Sequence, residues 1–321
     1  MMAKNECRRF RVSFTLNIIN FIIFFLSTSC ATSSHATISQ DQDILKEISE
    51  LRADLSDQQV ETGSVDLVRV EVPKALRSKS LYAEFDGMQL PLFPVGEKAP
   101  GVYETLLSIP YERKPGPAIV TVSVGQKNDP EVKKIPLKFE IKEGNYLSEI
   151  LKVDGKRVNP KGKKILARIA REQKEIGAIY SKETPNKFWT GPFHYPVKNS
   201  TITSPYGTKR IYNGTFKNFH TGLDLKAPMG TPIRSAANGV VVLAKDLFFS
   251  GNTVIVDHGY GVMTVYAHMS KMKVKKGQEV TSDQLIGLSG KTGRVNGPHL
   301  HWQTVVHQVK VNPLTLLKVT R

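Results

Sequence analysis

Short runs in which apolar and polar residues alternate dominate this chain of 321 residues. Val68, Val70 and Val72 alternate with charged neighbours, and similar runs recur at 81–85, 120–124 and 135–141. Successive side chains of a strand point to opposite faces, so each run predicts a strand with one buried face. Turn residues such as the Asp-Gly pair at 86–87 separate the runs and predict hairpins. The pattern therefore predicts a mainly β fold.

The alternating runs fall into two groups along the chain. Residues 63–142 predict a small β-sandwich of the immunoglobulin-like type, and because no cluster of titratable residues lies in it we interpret it as a spacer or binding module. Residues 199–321 carry glycine-punctuated hairpins such as GVVVLAKD and SGNTVIVDHGYGVMTVYAHMS, and predict a mostly antiparallel domain.

A helical linker is predicted between these two domains, over residues 143–198. Ile165, Ile169, Ile176 and Tyr180 fall on one helical face, with charged residues elsewhere. The stretch SKETPNKFWTGPFHYPV that follows is rich in proline and aromatic residues and has no period, which indicates a segment that packs on a neighbour.

Residues 1–30 have the pattern of an export signal. Arg8, Arg9 and Arg11 precede the apolar stretch VSFTLNIINFIIFFL, and the small residues of STSCATSSHA follow it. A retained transmembrane anchor is the alternative, which the short apolar length and two asparagines disfavour. The protein is therefore expected in the periplasm or cell envelope.

Cys30 stands where a lipoprotein signal places its lipidated cysteine. Such signals usually have Leu three residues earlier, but here that position is Ser27 and the leucine is Leu26. Membrane attachment through Cys30 and cleavage at another small residue are thus both open. Cys7 lies within the basic region, so the exported chain has no internal disulfide.

Residues 31–62 predict a tether followed by a short helix. Ile44, Ile48, Leu51 and Leu55 repeat at alternating steps of four and three residues, as on the apolar face of a helix. Two heptads suit a single packed helix as well as a coiled coil.

The formal net charge of +16 favours acidic partners. The lysines are scattered and no nucleic-acid-binding motif is present, so nucleic acid is not an expected partner. An acidic cell-wall polymer or an anionic lipid surface suits the charge better.

Five polar residues of the last domain could share one site: His220 and Asp224 in HTGLD, His268 in YAHMS, and His299 and His301 in GPHLHW. Residues two apart on a strand share a face, so His299 and His301 project into the same space. A catalytic zinc ion is typically held by three nitrogen or oxygen ligands, with a fourth position for water. His194, His258 and His307 are interpreted as packed or solvated residues.

At these motifs the chain resembles the lysostaphin/LytM-type zinc metallopeptidases, which cleave peptide bonds in bacterial peptidoglycan. The resemblance runs through the last third of the chain, from ITSPYGTKR at Ile202 through GLSGKTGRVNGPHLHW to VNPLTLL. It implies that His220, Asp224 and His301 hold one zinc ion and that His299 and His268 are catalytic. Family members often have Glu after the aromatic residue of the last motif, where this chain has Gln303.

The resemblance implies a zinc-dependent endopeptidase that acts on peptidoglycan cross-links. Zinc-bound water would attack the peptide carbonyl, with one of the two histidines taking its proton and the other stabilising the oxyanion. The sequence leaves open which histidine has which role and which peptide bond is cut.

Two other functions compete with the enzyme. Family members that have lost ligands act as activators of cell-wall amidases, but the ligand set is complete here. A lipoyl-like carrier or sugar-binding module would suit the hairpins, but the sequence offers no convincing lysine at a hairpin tip.

Overall fold

The computed structural model describes residues 51–97, 99–126, 132–151, 161–212 and 215–321. Strands predominate in these ranges, so the predicted mainly β class is confirmed. The predicted export signal and tether, from residue 1 to residue 50, lie outside the described residues.

Nine strands and one 3-10 turn form the N-terminal part of the described chain. The strands are β1 (Arg52–Leu55), β2 (Gln59–Glu61), β3 (Val65–Glu71), β4 (Leu81–Phe85), β5 (Met88–Pro91), β6 (Phe93–Pro94), β7 (Val102–Ser108), β8 (Gly116–Val124) and β9 (Lys133–Lys142), and the 3-10 turn is Lys74–Leu76. One sheet has the order β1-β3-β7-β6 and the other β2-β9-β8-β4-β5. Alternate side chains of both sheets, such as Val68 and Val120, meet in one apolar core.

Strand β1 lies where the sequence predicted the end of a short helix, so that prediction is wrong at residues 52–55. The strand pairs antiparallel with β3, from Arg52 opposite Glu71 to Leu55 opposite Val68. Leu55 is buried in the core of the two sheets. A leucine at this spacing fits either the apolar face of a helix or an inward position of a strand. Because the edge of β3 is available for pairing, residues 52–55 form a strand there.

The segment between the two β regions contains a strand and a helix. Helix α1 (Lys163–Tyr180) falls within the predicted linker, and Ile176, Ile179 and Tyr180 pack on apolar side chains of the C-terminal sheet. Strand β10 (Ser148–Leu151) has no counterpart in the prediction.

The C-terminal part is built on one large antiparallel sheet. Its elements are β11 (Ile202–Ser204), β12 (Lys209–Tyr212), β13 (Thr215–Phe219), β14 (Leu223–Lys226), β15 (Pro232–Arg234), β16 (Gly239–Leu247), β17 (Gly251–Asp257), β18 (Val262–Met269), β19 (Lys271–Met272), β20 (Glu279–Val280), β21 (Leu285–Leu288), β22 (His299–Val306), β23 (Val309–Val311) and helix α2 (Pro313–Val319). The large sheet has the order β11-β14-β22-β18-β17-β16-β20, with β23 added to β22. Smaller sheets join β15-β21-β19 and β10-β12-β13.

The two faces of the large sheet differ in what they cover. Leu300, Trp302 and Val306 of β22 point into the main core, with Leu223 and Tyr266. Val305 lies on the opposite face, in the apolar cluster that α1 covers. The linker helix therefore packs on the face of β22 that also carries His299 and His301.

Aromatic side chains join the N-terminal sheets to the C-terminal part. Tyr111 stacks on Phe219 with 3.7 Å between ring centroids, and its hydroxyl donates to the carbonyl of Gly207 at 3.1 Å. The main-chain NH of Asn312 donates to the carbonyl of Gly63 at 2.7 Å. Among the described residues, no helix is long and apolar enough to span a membrane.

Candidate metal centre

Three neighbouring strands bring the polar residues of the last domain together. In the antiparallel pair β14 and β22, Asp224 lies opposite His301 and Lys226 opposite His299. Strand β18 flanks β22 on its other side, with Ala267 opposite His301. Because His299 and His301 are two residues apart on one strand, both imidazoles reach the same face.

His220, Asp224 and His301 converge on one point. His220 Nε2 lies 2.9 Å from Asp224 Oδ1 and 3.0 Å from His301 Nδ1, and His301 Nδ1 lies 2.9 Å from the same carboxylate oxygen. Two atoms bound to a tetrahedral zinc ion at about 2.0–2.1 Å are roughly 3.3 Å apart, which is close to these separations. In the described part of the chain, this is the cluster of His, Cys, Asp and Glu residues that fits a metal ion.

A main-chain carbonyl fixes the tautomer of His220. Its Nδ1 lies 3.0 Å from the carbonyl oxygen of Pro205. A carbonyl oxygen only accepts, so Nδ1 carries the proton and Nε2 presents its lone pair to Asp224 and His301. Histidine ligands of metal ions are commonly oriented by such a second hydrogen bond.

The electrostatics of the trio suit a cation. Burial alone would raise the pKa of Asp224, but the adjacent imidazoles of His220 and His301 outweigh it and hold that pKa well below its usual range. Burial lowers the pKa of His301, against the opposing effect of the Asp224 carboxylate. The cluster thus combines one carboxylate with imidazole lone pairs, which is a donor set that zinc accepts.

His299 and His268 stand beside the trio and are oriented in the same way. His299 Nδ1 lies 2.9 Å from the carbonyl oxygen of Gly297, and His268 Nδ1 lies 2.9 Å from that of Thr292. Each ring therefore donates through Nδ1 and keeps a lone pair on Nε2. The ring centroids are 4.9 Å apart, and His299 Nε2 is 3.6 Å from Asp224 Oδ1.

His268 reaches this position through an unusual backbone conformation. Its φ angle is +64°, in the left-handed region that side-chain-bearing residues rarely adopt. Regular pairing of β18 with β22 ends one residue earlier, at Ala267, and the NH of His268 donates instead to the carbonyl of Ser250. Burial, together with the imidazoles of His301 and His299, lowers the pKa of His268 to about 3, so the ring is neutral at pH 7.

The other histidines singled out in the sequence lie elsewhere. His258 is buried, with Nδ1 2.7 Å from the carbonyl oxygen of Asn238 and Nε2 2.7 Å from Thr264 Oγ1. His307 is buried 3.4 Å from Glu183, and His194 is exposed. None of the three belongs to the described metal-ligand cluster.

Sequence reasoning missed the groups that orient the imidazoles. These are the carbonyls of Pro205, Thr292 and Gly297, and every residue type has a carbonyl. No residue-type signal could therefore have found them. Only the chain path shows which carbonyl faces which ring.

Comparisons with known proteins show what the domain that holds this cluster is similar to. The model of peptidase family M23 matches residues 218–313. Peptidoglycan DD-endopeptidase ShyA of Vibrio cholerae is 43% identical over 122 residues, which is 37% of this chain and 28% of that protein. DD-carboxypeptidase/endopeptidase Mpg of Neisseria meningitidis is 37% identical over 121 residues, or 38% of this chain and 28% of its own length. The match thus spans less than a third of these curated relatives.

A solved structure extends the likeness beyond the matched residues. A putative peptidase M23 from Pseudomonas aeruginosa superimposes with a TM-score of 0.60 at 28% identity, covering 80% of this chain and 95% of that one. All five site residues, from His220 to His301, fall inside the region matched by the family model. Residues 218–313 of this chain are thus similar to the domain of peptidase family M23.

Proposed function

We propose that this protein is a zinc-dependent endopeptidase that hydrolyses peptide cross-links of bacterial peptidoglycan. The observation that carries the proposal is the convergence of His220 Nε2, Asp224 Oδ1 and His301 Nδ1 within 3.0 Å of one another. The substrate is taken from relatives that are named peptidoglycan DD-endopeptidases.

The three converging residues would hold the ion. Two imidazoles and one carboxylate are the ligand types of a catalytic zinc site, and His220 already has the tautomer that such a ligand needs. When bound, zinc supplies a Lewis acid that polarises a carbonyl and makes water a better nucleophile at neutral pH.

His299 and His268 would handle the protons of the reaction. When a water oxygen bonds to a peptide carbonyl carbon, the water loses a proton, and the amine that leaves must gain one. Each ring holds its Nδ1 proton on a carbonyl, so its Nε2 is the atom that can accept and return that proton. The other imidazole would stabilise the negative oxygen of the tetrahedral intermediate, which requires a proton on its Nε2 that solvent supplies before the attack.

A non-catalytic activator of cell-wall amidases is the alternative function. An activator needs no metal ligands and no oriented proton acceptors. The chain has the His-Asp-His cluster, and both flanking histidines are hydrogen-bonded through Nδ1. The enzyme is therefore the better explanation.

The chain is further proposed to act in the cell envelope. The basic, apolar and small-residue stretches of residues 1–30 support export, and Cys30 supports attachment to a membrane by a lipid. Replacing Cys30 by Ser should abolish incorporation of labelled fatty acid. Incorporation at an unchanged level would contradict attachment at this residue.

Digestion of purified peptidoglycan tests the enzymatic proposal. The intact protein should release peptides cut at cross-links, a chelator should stop the release, and added zinc should restore it. His299→Ala should bind zinc and fail to cut. Undiminished digestion in the presence of chelator would refute the proposal.

A further inference from the structure

Gln303 is the next residue after His301 on the same face of β22, and it is buried. Its Oε1 accepts a hydrogen bond from the hydroxyl of Thr221 at 2.7 Å. Its Nε2 donates to the hydroxyl of Tyr180 at 3.1 Å. An amide side chain can accept and donate at once, so Gln303 connects two groups that lie far apart in the sequence.

Thr221 belongs to the turn that carries two of the proposed ligands. It follows His220 directly and precedes Asp224 by three residues. The turn has little free space, because a Cβ added at Gly222 would lie 2.5 Å from the carbonyl oxygen of Trp302 and 2.9 Å from His301 Cε1. A shift of Thr221 would therefore move the turn against His301.

Tyr180, on the other side of Gln303, is the last residue of helix α1. Burial raises the pKa of Tyr180 to about 12, so its hydroxyl stays neutral. The helix is held on the sheet by Ile176 and Ile179, and by Glu172, whose Oε2 accepts from the NH of Phe248 at 2.8 Å. Tyr180 thus offers a fixed point from outside the region that the family model matches.

We propose that Gln303 and Tyr180 are positioning residues that fix the turn between His220 and Asp224, so that the linker helix helps to set how tightly the site holds zinc. The inference rests on the proposed zinc site and assigns residues that act through the turn rather than on the substrate. Hydrogen-bonding partners of metal ligands typically change metal affinity by about 10–100-fold, and Gln303 acts one step further out.

Release of zinc from the loaded, full-length protein to a coloured chelator tests the inference. Gln303→Leu should release zinc about tenfold faster than the wild type, and Tyr180→Phe should do so to a smaller extent. Gln303→Glu should restore slow release, because a carboxylate accepts from Thr221 and also from the Tyr180 hydroxyl, which then donates. The absorption spectrum of the cobalt-loaded protein should change in Gln303→Leu and return in Gln303→Glu.

Tyr266→Phe is the matched control. Tyr266 is also a buried tyrosine with hydrogen-bonded partners, Thr264 and the NH of Ala236, but it lies on the opposite face of the sheet. Its substitution should lower thermal stability and leave the rate of zinc release unchanged. Faster release in Tyr266→Phe would show that lost stability alone causes the effect and would overturn the inference.

Two results separate this inference from the proposed function. Release at the wild-type rate from both Gln303→Leu and Tyr180→Phe would refute the positioning role while the wild type still digests peptidoglycan in a zinc-dependent way. A wild type that binds no zinc would refute the proposed function and the inference with it. If Gln303→Leu does not fold, Tyr180→Phe gives the deciding rate.

Discussion

Asp224 and His301 lie directly opposite each other on β14 and β22, with Asp224 Oδ1 2.9 Å from His301 Nδ1. The spacing of the two side chains is therefore set by main-chain hydrogen bonds between strands rather than by a flexible loop. Sites on paired strands are held more accurately than sites on loops. Asp224 and His301 should thus keep their spacing when single neighbouring groups are removed, whereas the position of His220 depends on the turn that Thr221 holds through Gln303.

Asp224→Asn should abolish stable zinc binding. The amide has nearly the same shape but lacks the negative charge, so zinc affinity should fall on the order of a hundredfold or more. Metal content after dialysis, measured by atomic emission, checks the expectation. Asp283→Asn, at an exposed carboxylate that pairs with Lys198, is the control and should keep its zinc. Full zinc occupancy in Asp224→Asn would show that the Asp224 carboxylate is not a zinc ligand.

His268→Ala and His299→Ala should keep zinc and lose turnover. Removal of a proton-transferring group typically slows catalysis by about 10²–10⁴-fold. Both imidazoles are oriented through Nδ1 by a carbonyl, and neither belongs to the converging trio. Metal content and the rate of muropeptide release should be measured on the same samples, with His194→Ala as an exposed control. If zinc content fell as much as the rate, these histidines would be zinc ligands rather than proton-transferring groups.

Tyr111 should stabilise the contact between the N-terminal sheets and the C-terminal part. Tyr111→Ala removes the stacking on Phe219 and the hydrogen bond to Gly207, and should lower the free energy of unfolding by about 2 kcal/mol. Tyr111→Phe loses only the hydrogen bond and should cost about 1 kcal/mol. Urea unfolding of the three proteins measures both values. Equal stability of all three would show that the aromatic contact contributes nothing.

Stability should fall in mild acid because of His258. Burial lowers the pKa of His258 to about 4, against an ordinary value of 6.5. Between these two pH values His258 is protonated in the unfolded chain and neutral in the folded chain. The free energy of unfolding therefore decreases as the pH falls from 6.5 towards 4. Protonation of His258 lowers the free energy of unfolding by about 3 kcal/mol in full, and this loss disappears above pH 6.5.

The variant His258→Asn isolates that contribution. It cannot titrate, so its stability should change less between pH 7.5 and pH 4.5 than that of the wild type, both measured by urea unfolding with zinc bound. His194→Asn changes an exposed histidine and should follow the wild type. A pH dependence in His258→Asn as steep as in the wild type would contradict the prediction.

The parts of the site that follow from local geometry could be predicted from the sequence. The alternation of strand side chains predicts that His299 and His301 share a face, and in the structure both lie on one face of β22. The convergence of Asp224 with His301 came from family resemblance, because strand pairing across some eighty residues leaves no local pattern.

The parts that depend on distant or main-chain contacts could not be predicted. The left-handed backbone of His268 is one example, since it accompanies the end of regular pairing between β18 and β22. Strand β1 is another, because Leu51 and Leu55 fit a helical face until the free edge of β3 is known. The link from Thr221 through Gln303 to Tyr180 joins three segments that the sequence keeps apart.

The pairing of strand β10 limits where this protein can be truncated. It precedes helix α1 in the chain, yet it pairs in parallel with β12, from Ser148 opposite Lys209 to Leu151 opposite Tyr212. A shortened protein that starts at Asn199 would leave the edge of β12 without its neighbour, and unpaired strand edges recruit other chains. Such a fragment would also lack Tyr180. The smallest piece suitable for expression or for grafting onto another carrier therefore begins upstream of Ser148.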